Sequence, residues 1–174
     1  MRKLVVIGSG VAGLAAAIEA ATAGADVLVL EGAADIGGAS VMSGAACCLV
    51  DTPLQRSLGV ADSVELALAD WARVGGPTAD LDWARRYLAD SARDVYAWCE
   101  ELGVSWAALD QPEGNSVARW HVPAGWGRAI VEALEKRARS LGVAIRPSAP
   151  VRALEPGAGG LDGERIEAAA VVVA

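Results

Sequence analysis

KLVVIGSGVAGLAAAIEAATAGADVLVLE, residues 3–31, decides the fold. Leu4-Val5-Val6-Ile7 is an apolar run too short for a helix and typical of a strand buried on both faces. It runs into Gly8-Ser9-Gly10-Val11-Ala12-Gly13, the G-x-G-x-x-G spacing. An alanine-rich helix comes next, to about Ala23, with Gly24 as its stop. Val27-Leu28-Val29-Leu30 is a second buried strand, and it delivers Glu31.

Each glycine has a physical task. Gly8 permits the tight turn off the strand, Gly10 lets backbone approach a pyrophosphate, and Gly13 lets helix and strand pack closely. The free N–H groups that open the helix, at Val11, Ala12 and Gly13, point with the helix dipole at the phosphates. Glu31 stands at the strand end, about 20 residues beyond the glycines, where a carboxylate can accept both ribose hydroxyls of an adenosine. A lone glycine fingerprint is weak; between two strands and completed by the acid it points to a dinucleotide.

Composition narrows the class. With 174 residues and 53% hydrophobic residues the chain can bury a real core, which excludes disorder. A net charge of −7 argues against a nucleic-acid or anionic-membrane surface, yet leaves room for an anionic cofactor held by backbone amides. Cys47, Cys48 and Cys99 have neither metal-ligand nor disulfide spacing, which suits a reducing cytoplasm. Met1-Arg2-Lys3 before an apolar run imitates a signal peptide, but Gly8, Ser9, Gly10 and Glu19 interrupt it. No stretch approaches the ~20 apolar residues of a membrane span. The expectation is a soluble, untargeted protein without a metal site.

The second informative stretch is GAADIGGASVMSG, residues 32–44. Gly37-Gly38, Ser40, Ser43 and Gly44 suit a backbone lying against a ligand, with hydroxyls donating to phosphate or ribityl oxygens. A dinucleotide fingerprint, an acid after the second strand and then GG-x-S-x-x-SG resembles the FAD-dependent oxidoreductases of the fumarate reductase/succinate dehydrogenase flavoprotein family. That family includes 3-ketosteroid dehydrogenases and urocanate reductases. The resemblance implies that Gly8, Gly10 and Gly13 face the FAD pyrophosphate and that Glu31 takes the adenosine ribose. Gly38, Ser40, Gly44 and Ala45 would line the ribityl and flavin side, Ala45 standing where members often have a second glycine.

Beyond this loop the chain turns helical. Cys47-Cys48 reads as a pair of small buried hydrophobes, and 51–60 as an irregular loop. Asp62-Ser63 can cap a helix to about Val74, ended by Gly75-Gly76-Pro77. A longer helix from about Asp80 to Leu102 carries one buried stripe: Leu81, Ala84, Leu88, Ala92, Val95, Cys99 and Leu102. Trp83, Tyr87 and Trp98 flank the stripe as core aromatics.

Residues 103–111 read as an extended segment. His121, the sole histidine, is expected in a loop before a helix over about 128–141. By resemblance this segment passes the flavin or the substrate pocket, so His121 is a candidate for steadying charge on the flavin; the alternative is a histidine that bonds loop backbone. Val143-Ala144-Ile145 is the third parallel strand. Residues 151–154 and 164–168 read as a hairpin around Gly157-Ala158-Gly159-Gly160, and by resemblance the Val151 backbone would meet the adenine. Residues 170–174 are the fourth strand, expected inside the sheet beside Leu4 to Ile7, and Ala174 leads into the phosphate turn of the family.

The expected fold is α/β, a Rossmann-like FAD-binding domain spanning 1–174. It has a parallel sheet in the order 3-2-1-4, a β-meander and an added helical segment at about 62–102. The resemblance covers the N-terminal half of a typical member, so the capping domain and the C-terminal part of the FAD domain are expected to be absent. Two further readings stay open: an NAD-binding Rossmann enzyme, and a non-catalytic fragment or subunit completed by a second chain. The chain alone is expected to bind FAD weakly or not at all, to show no turnover and to self-associate. The whole enzyme would act on a small-molecule substrate.

Overall fold

In the computed structural model residues 3–155, 158–160 and 164–174 are described; Met1, Arg2 and Gly157 of the segments discussed above lie outside them. Two compact units are present, one made of residues 1–43 and 127–174, the other of 44–126.

In the first unit, β1 (Lys3–Ile7) leads through the glycine turn to α1 (Val11–Thr22), which returns to β2 (Asp26–Leu30). A 3-10 turn covers Gly38–Met42. Later in the chain come α6 (Trp126–Ser140), β6 (Ala144–Arg146) and β10 (Ala170–Val173). The four strands form a parallel sheet in the order β10-β1-β2-β6, which matches the expected 3-2-1-4. Val6, Val27 and Val29 are buried, as are Leu14, Ala17 and Ile18 of α1. On the other face Val5, Leu28 and Leu30 cluster with Ala149 and Ile166. Apolar side chains on both faces are what a parallel sheet needs, and they drive its formation.

The expected β-meander is present, with three antiparallel strands where the two flanking segments alone read as a hairpin: β7 (Ala153–Glu155), β8 (Ala158–Gly160) and β9 (Arg165–Glu167). The glycine run itself supplies the middle strand, since backbone pairing does not require a side chain. Strand β10 does pair with β1, but as an edge strand, and Val173 is 68% exposed rather than enclosed.

In the second unit, β3 (Cys47–Cys48), β4 (Trp106–Asp110) and β5 (Trp120–Pro123) form an antiparallel sheet in the order β3-β5-β4. The expected loop at 51–60 contains α2 (Pro53–Ser57), closed by a capping box between Thr52 and Gln55. Its signature stands in the chain: threonine, proline at the first helical position and glutamine two residues later. Ser63 caps α3 (Val64–Gly75) and Asp80 caps α4 (Leu81–Ser91). The helix continues through a π-turn at Ala92–Ala97 into α5 (Trp98–Glu101). A π-turn inserts one residue and rotates the helical residues beyond it about the axis. Tyr96 is therefore buried at 5% exposure, whereas Val95 of the expected stripe is only half-buried. Trp83 is also not core: it is 62% exposed and stacks on Tyr87 at 5.9 Å.

Candidate cofactor-binding site

The first unit brings the fingerprint, Glu31 and the Gly37–Ser43 loop together at the C-terminal ends of β1 and β2, the end at which open α/β sheets bind ligands. Gly8 has φ +101°, and a Cβ there would lie 2.2 Å from the Ala174 carbonyl oxygen. A Cβ on Gly13 would lie 2.1 Å from the Gly8 carbonyl oxygen, so this glycine is required by the fold itself. Gly10 differs. Its Cβ would meet only the Ser40 hydroxyl at 3.3 Å and the Gly37 carbonyl at 3.9 Å. The fold itself does not require the missing Cβ as it does at Gly8 and Gly13, and a glycine here lets a pyrophosphate approach the backbone. Helix α1 opens with no side-chain cap, so its N–H groups are left for Ser40 and for an incoming anion.

Ser9, which carries no expectation from spacing, ties the site together. It is fully buried, donates its backbone N–H and its hydroxyl to Glu31 Oε2, and accepts the Gly37 N–H at 3.0 Å. Any small residue satisfies the x of G-x-G, so the motif gives no cue to it. Glu31 Oε1 accepts the Ala33 N–H at 2.9 Å. Burial raises the Glu31 pKa, but hydrogen bonds from Ala33, Ser9 and Gly32 outweigh it and hold the carboxyl below its usual range.

Around the loop, Gly37 has φ +105°, and a Cβ on it would run into Val41 and Val131. Ser40 Oγ accepts the Val11 N–H at 3.3 Å, so its own hydrogen remains to donate. Ser43 spends its hydroxyl on the Ser40 carbonyl at 2.9 Å. Gly127, in the first turn of α6, abuts this loop: its N–H bonds the Ser43 carbonyl at 3.0 Å, and a Cβ would lie 1.9 Å from the Ser40 carbonyl. Residues 148–151 run beside Glu31, with Ser148 N–H on the Ala33 carbonyl and Ala149 N–H on the Glu31 carbonyl, both at 2.8 Å. Val151, two residues further on, packs its side chain on the sheet core. Gly38 has φ +49° with open space around it. Thus Gly8, Gly10, Val11, Ala12, Gly13, Glu31, Gly37, Gly38, Ser40, Ser43, Val151 and Ala174 share one unit.

Gly44, Ala45 and His121 belong to the second unit. Ala45 has φ +49°, the left-handed region that favours glycine. The backbone at this position keeps the shape a glycine would have. His121 is on β5 rather than in a loop, paired with Cys47 of β3 and Leu109 of β4. It is fully buried. Nδ1–H donates to the Arg119 carbonyl at 2.8 Å, and Nε2 accepts the Thr52 hydroxyl at 2.7 Å, since Thr52 Oγ1 already takes the Gln55 N–H. Tyr96 and Trp106 meet the ring edge-on at 5.6 and 5.9 Å. Burial, only partly offset by its partners, lowers the imidazole pKa, so the ring is neutral at pH 7.

Beside it Arg119, also fully buried, forks onto both oxygens of Asp62 at 2.8 Å and reaches Asp70 at 2.6 Å. Ser116 and Arg73 complete the shell of Asp70. Burial pushes the Asp70 carboxyl up, but these donors hold it far below the usual range. Asp62, expected at a helix cap, is thus the partner of a buried arginine, and Ser63 alone does the capping. Cys47, Cys48 and Cys99 are free thiols, and burial raises all three pKa values. Among the described residues no acidic, histidine and cysteine cluster could hold a metal, and no helix is long and apolar enough to cross a membrane.

Comparison with known proteins identifies the family and the fold. The profile of the FAD binding domain family matches residues 3–174. A KsdD-like steroid dehydrogenase of Mycolicibacterium smegmatis is 37% identical over 153 residues, 78% of this chain and 28% of that protein. A vinyl phenol reductase of Lactiplantibacillus plantarum is 36% identical over 169 residues, 96% of this chain and 34% of that protein. The open conformation of a flavocytochrome c3 fumarate reductase superimposes with a TM-score of 0.90 at 28% identity, covering 99% of this chain and 33% of the other. The chain thus spans about a third or less of each of these three proteins.

Proposed function

This chain belongs to the FAD binding domain family, and on that premise we propose that it is the FAD-binding portion of an oxidoreductase acting on a C=C or CH–CH unit. The relatives named steroid dehydrogenase, vinyl phenol reductase and fumarate reductase support a substrate of that class, an unsaturated acid, a vinyl phenol or a ketosteroid. Bound FAD would supply the hydride transfer, and the chain's own residues would bind and orient it. Val11, Ala12 and Gly13 would present N–H groups to the pyrophosphate, with Ser40 as a hydroxyl donor. Glu31 would accept from the ribose, and the Val151 backbone would border the adenine. Gly38 is proposed to admit the ribityl side.

The observation that carries this reading is Gly10, where a Cβ would meet no backbone closer than 3.9 Å and only the Ser40 hydroxyl at 3.3 Å, beside an uncapped helix start and a charged Glu31. His121 is read as structural, because both ring nitrogens are already bonded. Residues completing the substrate site would come from further sequence or from a second chain. A reducing cytoplasm suits the three free thiols.

Titration of the purified chain with FAD, ADP and NAD, followed by flavin absorbance and calorimetry, tests the reading. However weak the affinity that the chain alone retains, FAD and ADP should compete for one site, and Gly10→Val should abolish it. Binding of NAD tighter than FAD, or FAD binding that survives in folded Gly10→Val, would overturn it.

A further inference from the structure

We propose that Ser9 makes Glu31 a reader of a single ribose hydroxyl, an inference that rests on Glu31 as the adenosine ligand. An ionised carboxylate has about four acceptor sites, two on each oxygen. Oε2 already accepts twice from one residue, from Ser9 N–H at 3.0 Å and Ser9 Oγ at 2.5 Å. The hydroxyl cannot swing away at low cost. It is fully buried and gripped from its other side by the Gly37 N–H at 3.0 Å. Releasing it would leave a buried donor unpaired.

Oε1 accepts the Ala33 N–H at 2.9 Å. At most one site on Oε1 is left. The ribose of an adenosine offers two neighbouring O–H donors, and only one of them finds a free lone pair. Ser9 itself touches no ligand; it is a positioning residue that saturates one oxygen and turns the other outward.

The test titrates ADP, 2′-deoxy-ADP and 3′-deoxy-ADP into the chain and its Glu31→Ala, Ser9→Ala and Ser9→Thr variants by calorimetry, with circular dichroism to confirm folding. Removing one of the two hydroxyls should weaken wild-type binding about tenfold or more, as for a hydrogen bond to a charged group, and Glu31→Ala should erase that loss. The cost of removing the other hydroxyl should be the same with and without Glu31. Ser9→Ala frees Oε2, so both deoxy analogues should then lose affinity, and Ser9→Thr should keep the wild-type pattern. Equal Glu31-dependent losses for both hydroxyls in the wild type would overturn the proposal while leaving Glu31 as the ribose ligand. A wild-type pattern in folded Ser9→Ala would also overturn it. If Ser9→Ala does not fold, the wild type against Glu31→Ala still decides. A folded wild type that binds no ADP would remove the adenosine reading, and the proposal with it.

Discussion

Ser9 gives Glu31 two hydrogen bonds to one oxygen, from its backbone N–H at 3.0 Å and its hydroxyl at 2.5 Å, across 22 positions of sequence. The pair joins the turn after β1 to the end of β2, and through Gly37 it also anchors the next loop. Burial raises the Glu31 pKa, but the Ala33 N–H bond, the strongest of the opposing effects, together with these two Ser9 bonds holds the carboxyl below its ordinary value of 4.5. A depressed folded-state pKa means that the stabilisation is complete above the unfolded value and disappears as pH falls through the folded one. Wild type should therefore exceed Glu31→Gln in stability at pH 7, with the gap closing below about pH 4. Urea denaturation at both pH values checks this; a gap that is constant with pH would contradict it.

Gly10 and Gly13 should separate binding from folding. Gly13→Ala puts a Cβ 2.1 Å from a backbone oxygen, which nothing flexible can relieve. It should cost about 1–3 kcal/mol of stability through overpacking. Gly10→Ala meets only the Ser40 hydroxyl at 3.3 Å, so its melting temperature should stay near that of the wild type while FAD affinity falls. Equal melting losses in the two variants would show that Gly10, too, is needed by the fold.

His121→Ala should act on stability before flavin chemistry. It empties a fully buried site and orphans the Arg119 carbonyl and the Thr52 hydroxyl, a loss of about 2–5 kcal/mol by analogy with other large-to-small core changes. The lowered imidazole pKa has a signature of its own. Between the ordinary value near 6.5 and the lower folded value, the unfolded state binds the proton more readily, so stability falls as pH drops below about 6.5. That slope should be missing from His121→Ala, as melting at pH 7.5 and 5.5 would reveal. A changed flavin potential with an unchanged melting temperature would restore a role for His121 at the flavin.

Arg119→Ala should be more damaging still. It strands Asp62 and Asp70, whose side chains are 0% and 4% exposed, without their shared counter-charge. Breaking a buried pair from one side costs about 3–5 kcal/mol. Arg119→Lys should recover only part of this, because an ammonium cannot fork onto both Asp62 oxygens while reaching Asp70. Full recovery by lysine in urea denaturation would mean that charge alone, without geometry, is what Asp62 and Asp70 require.

The chain itself determined the parallel sheet, the glycine turn and the acid at the end of β2. Each rests on local physics: apolar runs that must be buried on both faces, and glycines where backbone or ligand leaves no room for a Cβ. Near neighbours also determined the cap at Ser63. What only the tertiary structure decided is the pairing of buried polar groups. His121 meets Thr52 across 69 positions, Arg119 meets Asp62 across 57 and Asp70 across 49. Such pairs leave no periodic trace in sequence, because burial demands a partner for every polar atom but does not say from which segment it must come. The π-turn at Ala92–Ala97 belongs to the same class: helix periodicity could not foresee an inserted residue, and it took the packing of Tyr96 against Trp106 and His121 to place that ring inside.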